Sequence, residues 1–209
     1  MQTIREYKDE YKIFALDDIV SELGEGKTKA NLSSFSCTIN PDVQTFLRSK
    51  AIEFSKQGLS KTFLVYALFQ EDYVLVGYFT ISNKFIQIPS QKLSANMRRR
   101  IRKFANFNAD TCCFEIAAPL LGQIGKNFEN GYNKLITGDE LLALAIEQIK
   151  KAQKVLGGKI IYLEREEVEY LDKFYCSHGF VSFGKRELEK SETDLKGKYL
   201  VQMLKYISD

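Results

Sequence analysis

Histidine, proline and long apolar runs are scarce in this sequence. Among its 209 residues there are 3 Pro and 1 His. The longest apolar runs, such as TFLVYALF, fall far short of the roughly 20 residues that a membrane-spanning helix needs. Met1 opens a charged segment rather than a signal peptide. We therefore expect a cytoplasmic protein that has no membrane partner.

Cysteine is equally sparse, and its spacing excludes two common kinds of site. The chain has 4 Cys, no C-x-x-C pair, and only His178 to join them as a ligand. A zinc site and a disulfide framework are therefore not expected. The sequence predicts reduced, mostly buried thiols and no metal site.

The composition that remains is that of a globular protein, with 44% hydrophobic and 27% charged residues. The length fits one domain over residues 1–209. The polar stretch GEGKTKANLSS, Gly24 to Ser34, predicts a linker that sets residues 1–34 apart as an N-terminal extension. The net charge of +3 is too small to identify a nucleic-acid binder, because phosphate recognition depends on clustered charge.

Apolar spacing and capping residues predict the order of helices and strands. YKIFAL is typical of a strand, and the next segment, DDIVSEL, of a helix capped by Asp17. NPDVQTFLRSKAIEFSKQG predicts a helix with Pro41 in its first turn and Gly58 at its end. An antiparallel hairpin and a basic helix follow, and then a β-α-β-α-β-β order. This order predicts a mixed, mostly antiparallel α/β sheet flanked by helices.

The segment ITGDELL contains the first candidate for chemistry. Thr137 and Glu140 have the T-x-x-E spacing of a capping box, so a helix should begin near Thr137. Its free N–H groups favour an anion, and Gly138 has no side chain to obstruct one. The alternative is a capped helix that binds nothing. Neither the P-loop pattern nor G-x-G-x-x-G is present, which disfavours a P-loop NTPase and a dinucleotide dehydrogenase.

The segment FYCSHGF contains the second candidate. Tyr175 lies near the end of a predicted helix, and its phenol is protonated at neutral pH, so it can donate a proton to a leaving group. The alternative is a tyrosine that only packs. His178, beside Gly179, is expected to interact with the last carbonyls of that helix.

The helix SANMRRRIRKF concentrates positive charge. Arg98, Arg99 and Arg102 are candidates for contact with a substrate or with nucleic-acid phosphates. The alternative is an ordinary solvated helix face.

Taken in this order, the loop and the Y-x-x-x-G-F segment resemble the GNAT N-acetyltransferase superfamily. The pattern is most similar to its toxin-like, tRNA-acetylating branch, in which an F-x-C, an F-L helix and a G-x-S-x-T recur. The likeness covers about Phe35 to Tyr206, including MRRRIRK followed by PLLGQI. The matching residues are Phe35, Cys37, Phe46, Leu47, Gly58, Ser60 and Thr62.

The resemblance implies a GNAT-like sheet with a splayed strand and acetyl-CoA as the cofactor. The pantetheine arm would lie along the splayed strand and the diphosphate on the loop before the helix. The implied cofactor-binding residues are Ile124, Gly125, Lys126, Asn133, Lys134, Leu135, Ile136, Thr137 and Gly138. The chain departs from the family pattern at Ile136, which stands where the family loop has glycine.

The resemblance also implies an acyltransferase in which a primary amine attacks the thioester directly and Tyr175 is the general acid. The strand that often supplies a base has Gln123 and Asn127 here, which leaves Glu115 or Glu164 acting through a water. The lack of a strong base favours an α-amine over lysine. The acceptor stays open between aminoacyl-tRNA, a protein amine and a small amine.

An antitoxin protein and a homodimer are further partners that this likeness leaves open. The alternative from another class is a catalytically weak GNAT-fold module that binds CoA, nucleic acid or a protein.

Overall fold

The structure, a computed structural model, describes residues 11–188 and 198–207, so residues 1–10 of the predicted extension lie outside the described residues. Its contacts divide the chain into two compact units. Unit 1 is drawn from Met1–Ile81 and Gln123–Ala145, and unit 2 from Ser82–Gly122 and Ile146–Asp209. The prediction of a single domain over residues 1–209 stays a prediction.

Eight strands are present in the described residues. They are β1 (Tyr11–Ala15), β2 (Lys61–Phe69), β3 (Asp72–Pro89), β4 (Asn106–Asn108), β5 (Cys113–Lys126), β6 (Ile160–Glu166), β7 (Val181–Glu187) and β8 (Tyr199–Tyr206). The hydrogen-bonded order is β1-β2-β3-β5-β6-β8-β7, with β4 paired to β5. β5 and β6 are parallel over two residue pairs, Leu120 with Tyr162 and Leu121 with Leu163. The pairs β1–β2, β2–β3, β4–β5, β6–β8 and β7–β8 are antiparallel, which confirms the predicted mixed, mostly antiparallel sheet.

The helices follow the predicted order with one addition. They are α1 (Leu16–Leu23), α2 (Glu25–Ser33), α3 (Pro41–Thr45), α4 (Ala51–Lys56), α5 (Ala95–Ile101), α6 (Gly138–Leu156) and α7 (Glu169–Ser177). A π-helical segment, Phe46–Lys50, joins α3 to α4, so the predicted helix after Asn40 is continuous. The Asn40 side chain caps it by accepting from the N–H groups of Asp42 and Val43.

The predicted linker is wrong, because Gly24 to Ser34 contains helix α2. Gly24 breaks the chain direction with φ of 80°, and α2 begins immediately after it. Thr28 and Leu32 are 0% and 1% exposed, so burial stabilises a segment whose composition is polar. The Glu25–Lys29 ion pair at 2.8 Å supports the exposed side.

The predicted cap at Asp17 is also wrong. Helix α1 begins at Leu16 with Ala15 in the capping position, so Asp17 lies inside the first turn. Its carboxylate instead accepts from the Ser55 hydroxyl and pairs with Lys61. A local pattern could not show these partners, because they come from later segments of the chain.

Each unit has its own apolar core. In unit 1, the core includes Leu16 of α1, Leu32 of α2, Phe35 after α2 and Leu47 of the π-helical segment, together with Leu64 and Tyr78 of the strands. The buried Tyr78 hydroxyl donates to the carbonyl of Val43 at 2.5 Å within that core. In unit 2, the core residues include Ile88, Ile101, Phe114, Tyr162 and Leu204.

Only one of the four cysteines is buried, which corrects the prediction of mostly buried thiols. Cys37 lies in the core of unit 1, Cys113 is half-buried, and Cys112 and Cys176 are exposed. All four are free thiols. No helix among the described residues is long and apolar enough to cross a membrane. Within the same residues, no group of three or more His, Cys, Asp or Glu side chains is placed to hold a metal ion.

Candidate functional site

The loop between β5 and α6 is held in one shape by two side chains of unit 1. The Lys126 ammonium donates to the carbonyl oxygens of Asn133 at 3.0 Å and Ile136 at 3.2 Å. The Tyr11 hydroxyl donates to the carbonyl of Leu135 at 3.1 Å. Because these bonds fix three loop carbonyls, the loop is organised before any ligand binds. They also bring the predicted cofactor residues of β5 and of the loop together.

The predicted capping box is present at the start of α6. The Glu140 carboxylate accepts from the Thr137 N–H at 2.7 Å and from the Thr137 hydroxyl at 2.8 Å. In return, the Glu140 N–H donates to the Thr137 hydroxyl oxygen at 3.1 Å. An intramolecular carboxylate therefore already occupies one of the N–H groups to which an anion would bind.

The environment of Glu140 favours its charged form. Burial by itself raises the pKa of this carboxyl group, but hydrogen bonds from Thr137 and Tyr11 and the charge of Lys126 outweigh it. The net result is a lowered pKa. Glu140 is thus an anion at the positive end of α6.

Ile136, which replaces the expected glycine, does not project from the loop surface. Its side chain is 1% exposed, so it points into the interior of unit 1. Lys134 is exposed and Gly138 is half-buried. Because the Ile136 side chain is buried, replacing the expected glycine by isoleucine adds no side chain to the solvent side of the loop.

The end of β5 packs closely against α3. A Cβ atom placed on Gly125 would approach Cγ1 of Val43 to less than 3.0 Å, so any side chain there displaces the core. Two residues earlier, on the same side of the strand, the Gln123 amide group donates to the Asp42 carboxylate at 2.7 Å. The Gln123 N–H donates to the Thr80 hydroxyl at 2.8 Å. The strand is thus fixed at the point where the acetyl group is expected.

Asn127 anchors the strand to the loop. Its side-chain oxygen accepts from the N–H groups of Ser36 at 2.9 Å and Glu129 at 3.1 Å. Its amide nitrogen donates to the carbonyl of Leu75 at 2.9 Å. With 2% of its surface exposed, Asn127 serves to position these segments.

Tyr175 lies in unit 2, near the end of α7, and is 7% exposed. Its ring packs edge-on against Phe174 and Phe180 at centroid distances of 5.1 and 5.7 Å. Burial raises the pKa of its phenol to about 12, and the charge of Arg165 opposes part of that shift. None of the hydrogen bonds between described residues involves the hydroxyl. The phenol is therefore protonated at neutral pH, and its proton is not committed to another described residue.

Solved structures show which fold this arrangement belongs to. A Tyr-to-Phe variant of KacT matches with a TM-score of 0.59 and 14% identity, covering 92% of this chain and 94% of that one. AtaT complexed with acetyl-methionyl-tRNAfMet matches with a TM-score of 0.58 and 15% identity over the same shares. AtaTR bound with AcCoA matches with a TM-score of 0.54 and 16% identity, covering 92% of both chains. The chain has a GNAT fold.

The GNAT fold is supported here by structure alone. No protein-family model and no curated protein matches the sequence. The fold predicted from the resemblance is confirmed, and the two-pair ladder between β5 and β6 agrees with a splayed strand. The assignments of cofactor and catalytic residues on this GNAT fold stay predictions.

The basic helix α5 is present, but its arginines differ in what they bind. The Arg98 guanidinium donates to the carbonyls of Leu93 at 2.8 Å and Ser90 at 3.3 Å, which makes it a structural residue. Arg99 and Arg102 are exposed, and they line a surface recess of about 360 Å³ together with Ala95, Arg98 and Lys103. Two of the three predicted contact residues are therefore exposed to solvent, whereas the half-buried Arg98 lines the same recess and also holds the preceding turn.

The two carboxylates considered as bases have other partners in unit 2. Arg186 binds both oxygens of Glu164, at 2.8 and 2.6 Å. Burial raises the pKa of Glu164, but hydrogen bonds from Arg186 and Tyr162 lower it more. Glu115 accepts from side-chain amides of Gln87 and Asn108 at 3.1 and 3.0 Å. A carboxylate held ionised by arginine is a weak proton acceptor, which argues against Glu164 as the base.

His178 has the environment that its position predicts. Its Nδ1 lies 2.7 Å from the carbonyl oxygen of Phe174, in the last turn of α7. Lys205 donates to the carbonyl of His178 itself. The expected interaction with helix-end carbonyls is confirmed.

Two side-chain contacts of this region could not be predicted in full from the sequence. The contact between Asp42 and Gln123 joins positions 81 residues apart, and no local pattern indicates it. Glu140 was recognised as a cap, and the T-x-x-E spacing is the signal for that. Its occupation of a helix N-terminal N–H, where an anion would bind, follows only from the bond to the Thr137 N–H.

Proposed function

We propose that this protein is an N-acetyltransferase that moves an acetyl group from acetyl-CoA to a primary amine. The observation that carries the proposal is the organised loop at the start of α6, fixed by Lys126, in a GNAT fold. Matching structures support it, because AtaTR was solved with AcCoA. AtaTR is 16% identical to this chain, and the chain's own residues supply the remaining support.

The residues of unit 1 fit acetyl-CoA, but the Glu140 carboxylate competes with the diphosphate for one N–H group. The N–H groups at the start of α6 and the exposed Lys134 favour the diphosphate, and Gly138 has no side chain to obstruct it. Ile124, Gly125 and Lys126 would border the pantetheine arm. Glu140 opposes the diphosphate, because its carboxylate uses the Thr137 N–H. The loop therefore favours an anion, but the Glu140 carboxylate must first leave the Thr137 N–H.

In the proposed reaction the chain supplies N–H groups that polarise the thioester carbonyl and a proton for the departing sulfur. Acetyl-CoA, when bound, supplies the thioester that the amine attacks. Backbone N–H groups of β5 would stabilise the developing negative charge on the carbonyl oxygen. Tyr175 holds a proton on its phenol oxygen, which would protonate the departing sulfur. The high pKa of Tyr175 keeps that proton in place until the sulfur becomes basic.

The first prediction concerns acetyl-CoA binding. Titration calorimetry is expected to give saturable 1:1 binding to the wild-type protein. Glu140→Gln should bind about two- to fivefold more tightly, because it removes a negative charge at a helix N-terminus, where such a charge contributes about 0.3–1 kcal/mol. Desulfo-CoA should show the same ratio, since the effect arises at the diphosphate.

Glu22→Gln is the matched control, because Glu22 is an exposed carboxylate of unit 1 outside the loop. Its dissociation constant should equal that of the wild type. Absence of acetyl-CoA binding at millimolar concentration would exclude the proposed function. Unchanged affinity in Glu140→Gln would exclude only the competition by Glu140.

Among acceptors, we propose the α-amine of an aminoacyl-tRNA. An α-amine has a pKa near 7.7–8.0, so it needs less help from a base than lysine does at about 10.4. The exposed Arg99 and Arg102 supply positive charge beside a recess, which suits a phosphate backbone. AtaT, which shares the fold, was solved with acetyl-methionyl-tRNAfMet.

The second prediction tests this acceptor through salt dependence. Arg99→Gln combined with Arg102→Gln should weaken binding of bulk tRNA several-fold and lower the slope of log K against log salt by about 2, one unit for each lost phosphate contact. Fluorescence anisotropy at four salt concentrations measures both quantities. Lys151→Gln with Lys154→Gln removes the same charge from exposed positions on α6 and should change neither slope nor affinity. Equal slopes in the two double variants would contradict the assignment.

The alternative function is a binding module with weak catalysis. The bond from the Thr137 N–H to Glu140 favours it, because this N–H already has a hydrogen-bond acceptor without a bound cofactor. Such a module would bind a partner, for example an antitoxin, and AtaT bound to the C-terminus of AtaR shows a protein partner on this fold. Substitution of Tyr175 separates the two functions.

A further inference from the structure

Asp42 has an unusual position for a carboxylate in unit 1. It lies in the first turn of α3, half-buried, where the Asn40 cap fixes its backbone by accepting from its N–H at 3.1 Å. One of its side-chain oxygens accepts from the Gln123 amide at 2.7 Å. Its other oxygen accepts no hydrogen bond among the described residues. Asp42 therefore retains a free acceptor atom beside β5.

Gln123 is fixed at both its backbone and its side chain. Its N–H donates to the hydroxyl of Thr80, which is 2% exposed, and its side chain reaches Asp42. Gln123 directly precedes the predicted acetyl-CoA strand Ile124–Lys126. An amide cannot take a proton, but it can hold a carboxylate that can.

Three other acidic residues of unit 1 have partners that prevent this role. Asp17 pairs with Lys61, and Glu25 pairs with Lys29 and Lys56. Glu140 caps α6. No salt bridge to Asp42 occurs among the described residues, so no fixed cation competes for its charge.

The negative charge of Asp42 also affects a buried neighbour. Burial, followed by the charge of Asp42, raises the pKa of the Tyr78 phenol far above its usual range. The Tyr78 proton is committed to the carbonyl of Val43, so Tyr78 cannot neutralise Asp42. The second oxygen of Asp42 can therefore accept a hydrogen bond from an ammonium group or an amine.

We propose that Asp42 binds the acceptor amine and removes its proton, with Gln123 as the positioning residue. This inference rests on the proposed function and assigns the base that the strand itself lacks. As the carbon–nitrogen bond forms and the carbon–sulfur bond breaks, one proton leaves nitrogen for Asp42. One proton passes from Tyr175 to sulfur, and Tyr175 regains a proton from solvent as Asp42 releases one. The products are the N-acetylated amine and the CoA thiol.

The test compares kinetics and binding in Asp42→Asn, which keeps the shape and the acceptor oxygen for Gln123. The kcat/KM for acetyl transfer to bulk aminoacyl-tRNA, followed with radiolabelled acetyl-CoA, is expected to fall about 10²-fold, as is usual for loss of a general base. The dissociation constant for acetyl-CoA should stay at the wild-type value. Asp18→Asn makes the same change at an exposed position of unit 1 and should leave both quantities unchanged.

A second variant separates catalysis from structure. Asp42→Asn combined with Gln123→Glu returns a carboxylate to the same contact from the opposite side, so it should recover at least tenfold of the lost kcat/KM. A purely structural Asp42 would give no such recovery. If the wild type transfers acetyl and Asp42→Asn equals it, the inference falls while the proposed function stands. If the wild type transfers no acetyl group to aminoacyl-tRNA, that result excludes aminoacyl-tRNA as the acceptor and excludes the proposed role of Asp42 in binding it.

Discussion

Replacing Tyr175 by phenylalanine is expected to lower kcat about 10²-fold while leaving the dissociation constant for acetyl-CoA unchanged. Loss of a general acid costs about 10²- to 10⁴-fold, and the lower figure applies because the pKa of about 12 makes Tyr175 a weak acid. The thermal stability should stay close to wild type, since no hydrogen bond between described residues involves the lost hydroxyl. Release of CoA thiol under saturating substrates measures kcat.

The matched control is Tyr170→Phe, because Tyr170 lies on the same helix and is 60% exposed. That variant should keep full turnover. Wild-type kcat in Tyr175→Phe would remove the general acid and favour the binding module. Loss of acetyl-CoA binding in Tyr175→Phe would instead show that Tyr175 acts by holding the cofactor.

Gly125→Ala is expected to reduce the free energy of unfolding by about 1–3 kcal/mol, the usual cost of overpacking a filled core. The added methyl group meets the Val43 side chain at less than 3.0 Å, and Val43 is 6% exposed. For a chain of this size, that cost lowers the melting temperature by about 2–4 °C per kcal/mol. Differential scanning fluorimetry measures the shift, and acetyl-CoA affinity should fall with it if this strand borders the cofactor.

Gly26→Ala serves as the control, because a Cβ at Gly26 meets nothing within 4 Å and Gly26 lies inside α2. Its melting temperature should stay equal or rise slightly, since alanine favours a helix. Combining Gly125→Ala with Val43→Ala should cost at least 1 kcal/mol less than the sum of the single variants. Additive costs would show that Val43 is not the residue that excludes a side chain from Gly125.

Local features of the site followed directly from the sequence. The Thr137–Glu140 spacing predicts a reciprocal cap, and both of its hydrogen bonds are formed. Asn40 and Pro41 mark the start of a helix because a side-chain acceptor and a fixed φ act within one turn. Such signals are visible because cause and effect lie within four residues of each other.

Features that depend on distant contacts could not be predicted. Helix α2 forms because Thr28 and Leu32 are buried by other segments, although its composition is that of a linker. The partners of Asp42 and Glu164 are 81 and 22 residues away, so the sequence did not show which carboxylate is neutralised and which is free. The same limit explains the cysteines, because local composition does not show which face of the fold exposes Cys112.

The Asn127 anchor has a consequence for synthesis on the ribosome. Its side chain bonds Ser36 and Leu75, which precede it by 91 and 52 residues. The Ser36 N–H, before α3, and the Leu75 carbonyl, in β3, therefore leave the exit tunnel seconds before Asn127 is translated, at about 5–20 residues per second. Until then the nascent chain exposes unpaired backbone groups, which makes this interval the one in which a chaperone or another chain can bind them.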